Sequence, residues 1–139
     1  MAVPFLACMA LVAQVYHLPP RVLPSIQAVE GGAVGTVSRN ADGSDDLGVM
    51  QVNTRWLQAL ARLSRLPAAE VRRRLVDDPC FNIAAAGVVM RLYLDETGND
   101  LLQAVGDYHS HTPWRNQSYQ AKVLAAAEQL FSAPANRAR

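Results

Sequence analysis

One carboxylate of the sequence occupies a position suited to a general acid. Glu30 follows Ile26 and Val29 in the last turn of an apolar segment and directly precedes Gly31-Gly32. The C-terminal end of a helix carries partial negative charge, and burial among apolar side chains disfavours a charged group. Both effects raise the pKa of a carboxyl, which keeps a proton available near neutral pH. The pattern therefore predicts a general acid, and a surface glutamate near a helix end is the alternative interpretation.

Two later segments contain polar side chains that could complete a site with Glu30. The stretch from Ser38 to Leu47 is rich in Asn, Asp, Gly and Ser, and it leads directly into Gly48-Val49-Met50-Gln51-Val52-Asn53. The second segment is Ala104-Val105-Gly106-Asp107-Tyr108-His109-Ser110-His111. A polar loop as long as the first stretch is usually functional in a compact domain.

Together, Glu30-Gly31-Gly32 and these two segments resemble the lysozyme-like lytic transglycosylase family, also called the SLT domain family. That family pairs a catalytic glutamate, followed by a small residue, with a Gly-Leu-Met-Gln-Ile-Asn-like segment about twenty residues later. Its third motif is an Ala-x-x-x-Tyr-Asn-Ala-Gly-like segment, in which His109 here replaces the common asparagine. The resemblance covers roughly residues 5–125, and it is strongest to the small members that accompany secretion, conjugation and pilus machines.

The resemblance implies an enzyme that cleaves the β-1,4 bond between N-acetylmuramic acid and N-acetylglucosamine in peptidoglycan, without a cofactor or metal. Glu30 would protonate the glycosidic oxygen and then act as base toward the muramoyl C6 hydroxyl, which gives a 1,6-anhydromuramoyl product. The family's substrate-binding positions correspond to Ser38, Met50, Gln51 and Tyr108. The Tyr108 hydroxyl would bond Glu30 or the sugar, and a bond to a local backbone carbonyl is the alternative.

Three alternatives to this assignment remain open. Asp46 occupies the place where the similar loop of animal-type lysozymes carries a second catalytic carboxylate, so a hydrolase that uses Asp46 is conceivable. Aspartates in such loops also commonly bond their own backbone. A non-catalytic peptidoglycan-binding assembly module is the second alternative. A metal site formed by Asp107, His109 and His111 is the third alternative. Two histidines two residues apart do not by themselves define a metal site, which needs further ligands.

The two cysteines and the N-terminal residues bear on the cellular location. Related small transglycosylases carry a cysteine pair at the places of Cys8 and Cys80, which implies a disulfide and an oxidising periplasm, with two reduced thiols as the alternative. Residues 1–20 carry no charge, but the first basic residue is Arg21 and Pro4 interrupts the apolar run. They therefore indicate a first core helix rather than a signal peptide or a stable membrane span, and we expect any export leader to lie outside this sequence.

Composition limits the size and the partners of the protein. A chain of 139 residues suits one compact domain, and 13 Lys+Arg against 12 Asp+Glu give a net charge of +1. This balance offers no electrostatic case for nucleic-acid binding. The expected partners are glycan strands of peptidoglycan and components of a secretion, conjugation or pilus machine.

The elements that must position these residues are mostly helices. Apolar spacing and Pro/Gly breaks predict helices over about 5–16, 24–30, 49–63, 67–76, 81–93, 99–105 and 116–131. Residues 33–47 are predicted to form a long polar loop or a small irregular hairpin beside the active-site cleft. Together with the resemblance, this pattern predicts a mainly α fold class, of the α+β lysozyme-like type. One domain is expected over residues 1–131, followed by a flexible tail over 132–139.

Overall fold

The chain folds as a set of helices around one long central helix. A computed structural model describes residues 2–132, so that, apart from Ser132, the predicted tail lies outside the described residues. In chain order the elements are α1 (Leu6–Tyr16), α2 (Val22–Glu30), β1 (Val37–Arg39), β2 (Asp45–Leu47), β3 (Val52–Asn53), a 3-10 turn (Thr54–Trp56), α3 (Leu57–Ser64), α4 (Ala68–Asp77), α5 (Pro79–Glu96), α6 (Leu101–His109) and α7 (Pro113–Phe131). This arrangement confirms the predicted mainly α, lysozyme-like fold class.

Helix α5 forms the centre of the hydrophobic core. It begins at Pro79, and the Asp78 side chain caps this end by accepting a hydrogen bond from the Phe81 N–H at 3.0 Å. The helix packs against α1, α4 and α6. Gly87 allows α1 to approach closely, because a Cβ at this position would overlap the Val12 side chain. No helix within residues 2–132 combines the length and the apolar character that crossing a membrane requires.

The disulfide implied by the resemblance is present. It joins Cys8 in α1 to Cys80 at the start of α5, with the two Cα atoms 5.6 Å apart. The bridge spans 72 residues of sequence and ties the N-terminal helix to the central one.

Removing this bridge is expected to destabilise the protein. In the double variant Cys8→Ser/Cys80→Ser the free energy of unfolding should fall by about 2–4 kcal/mol, because the unfolded chain regains the freedom of a long loop. Urea denaturation of both proteins at the same pH measures the difference. A thiol reductant should destabilise the parent chain similarly and leave the variant unchanged. Equal stability of parent and variant would contradict this expectation.

The polar segment after α2 forms the small irregular hairpin rather than an unstructured loop. Strands β1, β2 and β3 pair antiparallel in that order, and Asp46 lies opposite Ser38 on one side and Asn53 on the other. At the turn between β1 and β2, the Asp42 carboxylate accepts hydrogen bonds from the N–H and the hydroxyl of Ser44, at 2.9 and 2.6 Å. This turn places the polar residues of the hairpin beside a cleft.

The two largest errors in the predicted helix boundaries both affect the site. The helix predicted over 49–63 begins only at Leu57, because Gly48 and Gln51 adopt positive φ angles of 69° and 52° and Val52 pairs with Leu47 in the sheet. The spacing of Val52, Trp56 and Leu60 matched a helical period by coincidence. Helix α6, predicted to end near residue 105, continues to His109, so that the intervening loop covers only residues 110–112.

Candidate active site

A cleft of about 620 Å³ lies between the hairpin and the end of α6. One wall comes from the hairpin and the segment after it, and the other comes from the end of α6 and the following loop. Glu30, at the end of α2, also lines the cleft. The lining residues discussed below are Asp42, Asp46, Gln51, Asn53, Tyr108, His109, His111 and Arg115.

Glu30 is held at a helix end by two glycines with different roles. Gly31 ends α2 with a φ of 66°, and its N–H donates to the Gln27 carbonyl at 2.8 Å. Gly32 is buried against the segment that follows β2, where a Cβ would overlap the Gly48 carbonyl. The small residues after the glutamate therefore allow the hairpin to close against α2 beside the carboxyl.

The carboxyl of Glu30 has a pKa raised to about 7. Burial is the main cause, since it penalises the charged form, and the nearby negative charge of Asp46 raises the pKa further. A hydrogen bond from Tyr119 and the positive charge of Lys122 act in the opposite direction. A carboxyl with such a pKa can carry a proton near neutral pH, which is the property that a general acid requires.

Tyr119 of α7 is the direct partner of Glu30, and this contact was not predicted from the sequence. Its hydroxyl donates to Glu30 Oε2 at 2.6 Å, and its ring is stacked on the His109 ring with centroids 4.9 Å apart. Tyr119 lies on the buried face of α7 with Asn116 and Val123, which is the pattern of an ordinary core residue. The available signal was chemical: a tyrosine on a buried face needs a partner for its hydroxyl.

The four residues assigned to substrate binding occupy different environments. Gln51 and Tyr108 line the cleft, whereas Met50 is fully buried and Ser38 lies outside the lining, opposite Asp46 in the sheet. The Tyr108 hydroxyl donates to the Met50 carbonyl at 2.7 Å, which is the local bond considered as the alternative to Glu30. The Gln51 side-chain amide donates to the Gly48 carbonyl at 3.0 Å. Tyr108 and Gln51 thus also fix the loop between β2 and β3.

The aspartates of the hairpin have separate environments. Asp45 is buried and pairs with Arg39 and Arg72, both at 2.8 Å. Asp46 lines the cleft, and its carboxylate accepts a hydrogen bond from the Asn53 side chain at 3.0 Å. The negative charge of Asp46 raises the pKa of Glu30, so these two carboxyls of the cleft interact electrostatically.

Asn82 of α5 fixes the loop that carries these residues, and this role was not predicted from the sequence. Its side chain is fully buried and accepts a hydrogen bond from the Met50 N–H at 2.8 Å. It also donates to the carbonyls of Leu47 and Leu75, both at 2.8 Å. One side chain therefore satisfies three backbone groups from two separate segments.

Of the three residues of the metal hypothesis, the structure brings Asp107 and His111 together but places His109 elsewhere. His109 is stacked on Tyr119, whereas His111 Nε2 lies 2.9 Å from Glu96 Oε1 and 3.7 Å from Asp107 Oδ2. The Asp107 side chain is itself bonded through Oδ1 to the Asn116 amide at 2.8 Å. Glu96, Asp107 and His111 thus each place one possible ligand atom within 4.8 Å of the others, which is a different set from the one expected.

Comparison with known proteins identifies the family of the chain. The family described as "Transglycosylase SLT domain" matches residues 8–129. The proteins named "Invasion protein IagB" of Salmonella typhimurium (strain SL1344) and of Salmonella typhi are each 32% identical to the chain over 85 residues, which is 61% of this chain and 48% of theirs. The chain thus spans about half the length of these curated relatives. Because the family match covers nearly all the described residues, the chain belongs to the transglycosylase SLT domain family, for which lytic transglycosylase activity on peptidoglycan is implied.

Proposed function

We propose that this chain cleaves the bond between N-acetylmuramic acid and N-acetylglucosamine and releases a 1,6-anhydromuramoyl product. The single observation that carries the proposal is Glu30, a largely buried carboxyl with a pKa of about 7 that lines an open cleft. A carboxyl perturbed by burial in a cleft is a strong candidate for acid–base catalysis. Family membership supplies the polymer on which that acid acts.

In this mechanism one carboxyl performs both proton transfers. Protonated Glu30 donates to the glycosidic oxygen as the bond to the muramoyl C1 breaks and positive charge develops there. Glu30, now a carboxylate, takes the proton of the C6 hydroxyl as that oxygen attacks C1 and closes the anhydro ring. The hydrogen bond from Tyr119 holds Oε2, which leaves Oε1 to exchange the proton with the substrate.

Asp46 supports an additional electrostatic role in the same reaction. A carboxylate close enough to raise the pKa of Glu30 also stabilises a developing positive charge at C1. If Asp46 instead formed a bond to C1, water would complete a lysozyme-type hydrolysis, which is the second candidate function. The products distinguish the two, since hydrolysis leaves reducing muramic acid ends.

The other family positions would act on the glycan strand from the cleft wall. Gln51 and Tyr108 line the cleft and are proposed to contact the sugar directly. Met50 is buried behind the wall, and Ser38 pairs with Asp46 across the sheet, so we propose that Met50 and Ser38 position the residues that contact substrate.

Mass spectrometry of the products released from isolated peptidoglycan tests the proposal. Anhydromuramoyl ends support the transglycosylase, and reducing ends support the hydrolase. A protein that binds the polymer but releases nothing would be the assembly module. The parent chain should be compared with Glu128→Gln, which changes an exposed glutamate of α7 and should leave the product pattern unaltered.

We further propose a periplasmic location and a role in local wall remodelling while an envelope machine is assembled. The Cys8–Cys80 bridge suits an oxidising compartment. The relatives from Salmonella carry the name "Invasion protein". The proposed association with a machine follows the resemblance to the small transglycosylases that accompany such machines. Fractionation of cells after export of the full-length protein, probed with an antibody, tests the location.

The Tyr119→Phe variant is expected to shift the pH profile rather than abolish cleavage. The lost hydrogen bond stabilises the carboxylate, so the pKa of Glu30 should rise from about 7. A hydrogen bond to a charged group contributes about 1.5 kcal/mol or more, which corresponds to about one pKa unit. Because the acid must be protonated, the alkaline limb of kcat/KM against pH should move to higher pH.

The control for this shift is Tyr16→Phe, which removes a hydroxyl on α1 that lines neither pocket near Glu30. Its profile should coincide with that of the parent chain. An alkaline limb at unchanged or lower pH in Tyr119→Phe would contradict the assigned hydrogen bond.

A further inference from the structure

A second pocket, of about 330 Å³, continues from the cleft on the other side of Glu30. Glu30, His109 and Arg115 line both the cleft and this pocket, so the two are joined at the candidate catalytic carboxyl. The remaining walls come from the end of α2 and the exposed side of α7, where Trp114 is 67% exposed. A strand bound across Glu30 therefore has a place for one of its substituents here.

The pocket has an excess of positive charge. Arg115 and Lys122 both line it, and within residues 2–132 neither forms an ion pair, in contrast to Arg72 and Arg91, which are paired with aspartates. The Arg115 guanidinium lies over the Trp114 ring, 5.1 Å from its centroid, which holds it at the rim. Among the described residues that line the pocket, Glu30 is the only one with a carboxyl.

We propose that this pocket is a subsite for a carboxylate of the peptide stem of peptidoglycan, an inference that rests on the proposed function. The sugars contribute hydroxyls and acetamides, which are neutral, whereas the stem peptides attached to muramic acid carry free carboxylates. Two unpaired cations in a pocket beside the scissile bond match such an anion in charge and place. In strands that lack stems, the free lactyl carboxylate of muramic acid offers the same chemistry, and the experiment must separate the two sources.

The test compares three forms of the same glycan strands. The first keeps its stem peptides, the second has the stem carboxylates converted to methylamides, and the third has the stems removed by an amidase, which exposes the lactyl carboxylate. The parent chain is expected to cleave the first form with the highest kcat/KM. Arg115→Gln and Lys122→Gln should each reduce the preference for the first form over the second by about three- to fivefold, since an exposed ion pair is weak.

Arg62→Gln is the matched control, because Arg62 is an exposed cation of α3 that lines neither pocket. It should retain the preference of the parent chain. A parent chain without preference for the first form, or variants that keep the full preference, would overturn the proposal. If the variants lose a preference for the third form over the second instead, the site binds the lactyl carboxylate and the stem assignment is wrong. Failure of the proposed function would give a different result from failure of the subsite proposal, because none of the three forms would then yield anhydromuramoyl ends.

Discussion

Glu30→Gln is expected to eliminate the release of anhydromuropeptides, with kcat/KM reduced about 10³-fold or more. General acid–base catalysis by one group contributes about 10²–10⁴-fold, and this mechanism uses Glu30 twice. The amide keeps the shape of the side chain and can still accept the Tyr119 hydrogen bond, but it cannot exchange a proton. Release from isolated peptidoglycan, followed by chromatography, measures the loss. Release at the parental rate would refute the assignment of Glu30.

The same variant should be more stable than the parent chain at alkaline pH, which separates lost chemistry from lost folding. Glu30 has a pKa of about 7 in the folded protein, against 4.5 for an unperturbed glutamate. Between pH 4.5 and pH 7 the folded state therefore binds more protons than the unfolded state. Parental stability therefore falls as pH rises from about 4.5 to 7, by about 3 kcal/mol at most. Glu30→Gln removes this dependence. Urea denaturation should show equal stabilities near pH 4 and a gain for the variant at pH 8.

The helix end at Glu30 could be predicted because it is encoded locally. The apolar residues before it and the glycines after it indicate such an end, and in the structure α2 ends at Glu30, whose side chain is partly buried. The hairpin could be predicted for the same reason, because its turn depends on neighbouring residues: Gly43 has a positive φ, and the Asp42 side chain accepts from the Ser44 N–H. The pairing of Cys8 with Cys80 came from the resemblance instead.

The contacts that complete the site are long-range, and no local pattern reports them. Tyr119 and Glu30 are 89 residues apart in sequence, and Asn82 and Met50 are 32 apart. The wrong helical prediction for residues 49–56 has the same origin, since the pairing of Val52 with Leu47 and the bond from the Met50 N–H to Asn82 are contacts that the local apolar spacing does not report. Side-chain partners of this kind emerge only when the helices are packed together.

Asn82→Ala is expected to lower the free energy of unfolding by about 5 kcal/mol, because each buried backbone group left without a partner costs about 1–3 kcal/mol. Three such groups depend on Asn82: the Met50 N–H and the carbonyls of Leu47 and Leu75. The small cavity left by the side chain adds to this cost. Urea denaturation monitored by circular dichroism measures the change, and Gln117→Ala, an exposed polar residue of α7, should remain close to the parent chain.

Asn82→Asp tests the same contacts in a chain with almost unchanged shape. The carboxylate can still accept from the Met50 N–H, but it places an oxygen against the carbonyls of Leu47 and Leu75, where the amide donated. Protonation restores one donor, so its deficit relative to the parent chain at the same pH should shrink as the pH falls. A constant deficit would show that packing, rather than hydrogen bonding, gives Asn82 its importance. Because this loop carries Gln51 and follows Asp46, both variants should also lose cleavage under conditions in which they remain folded.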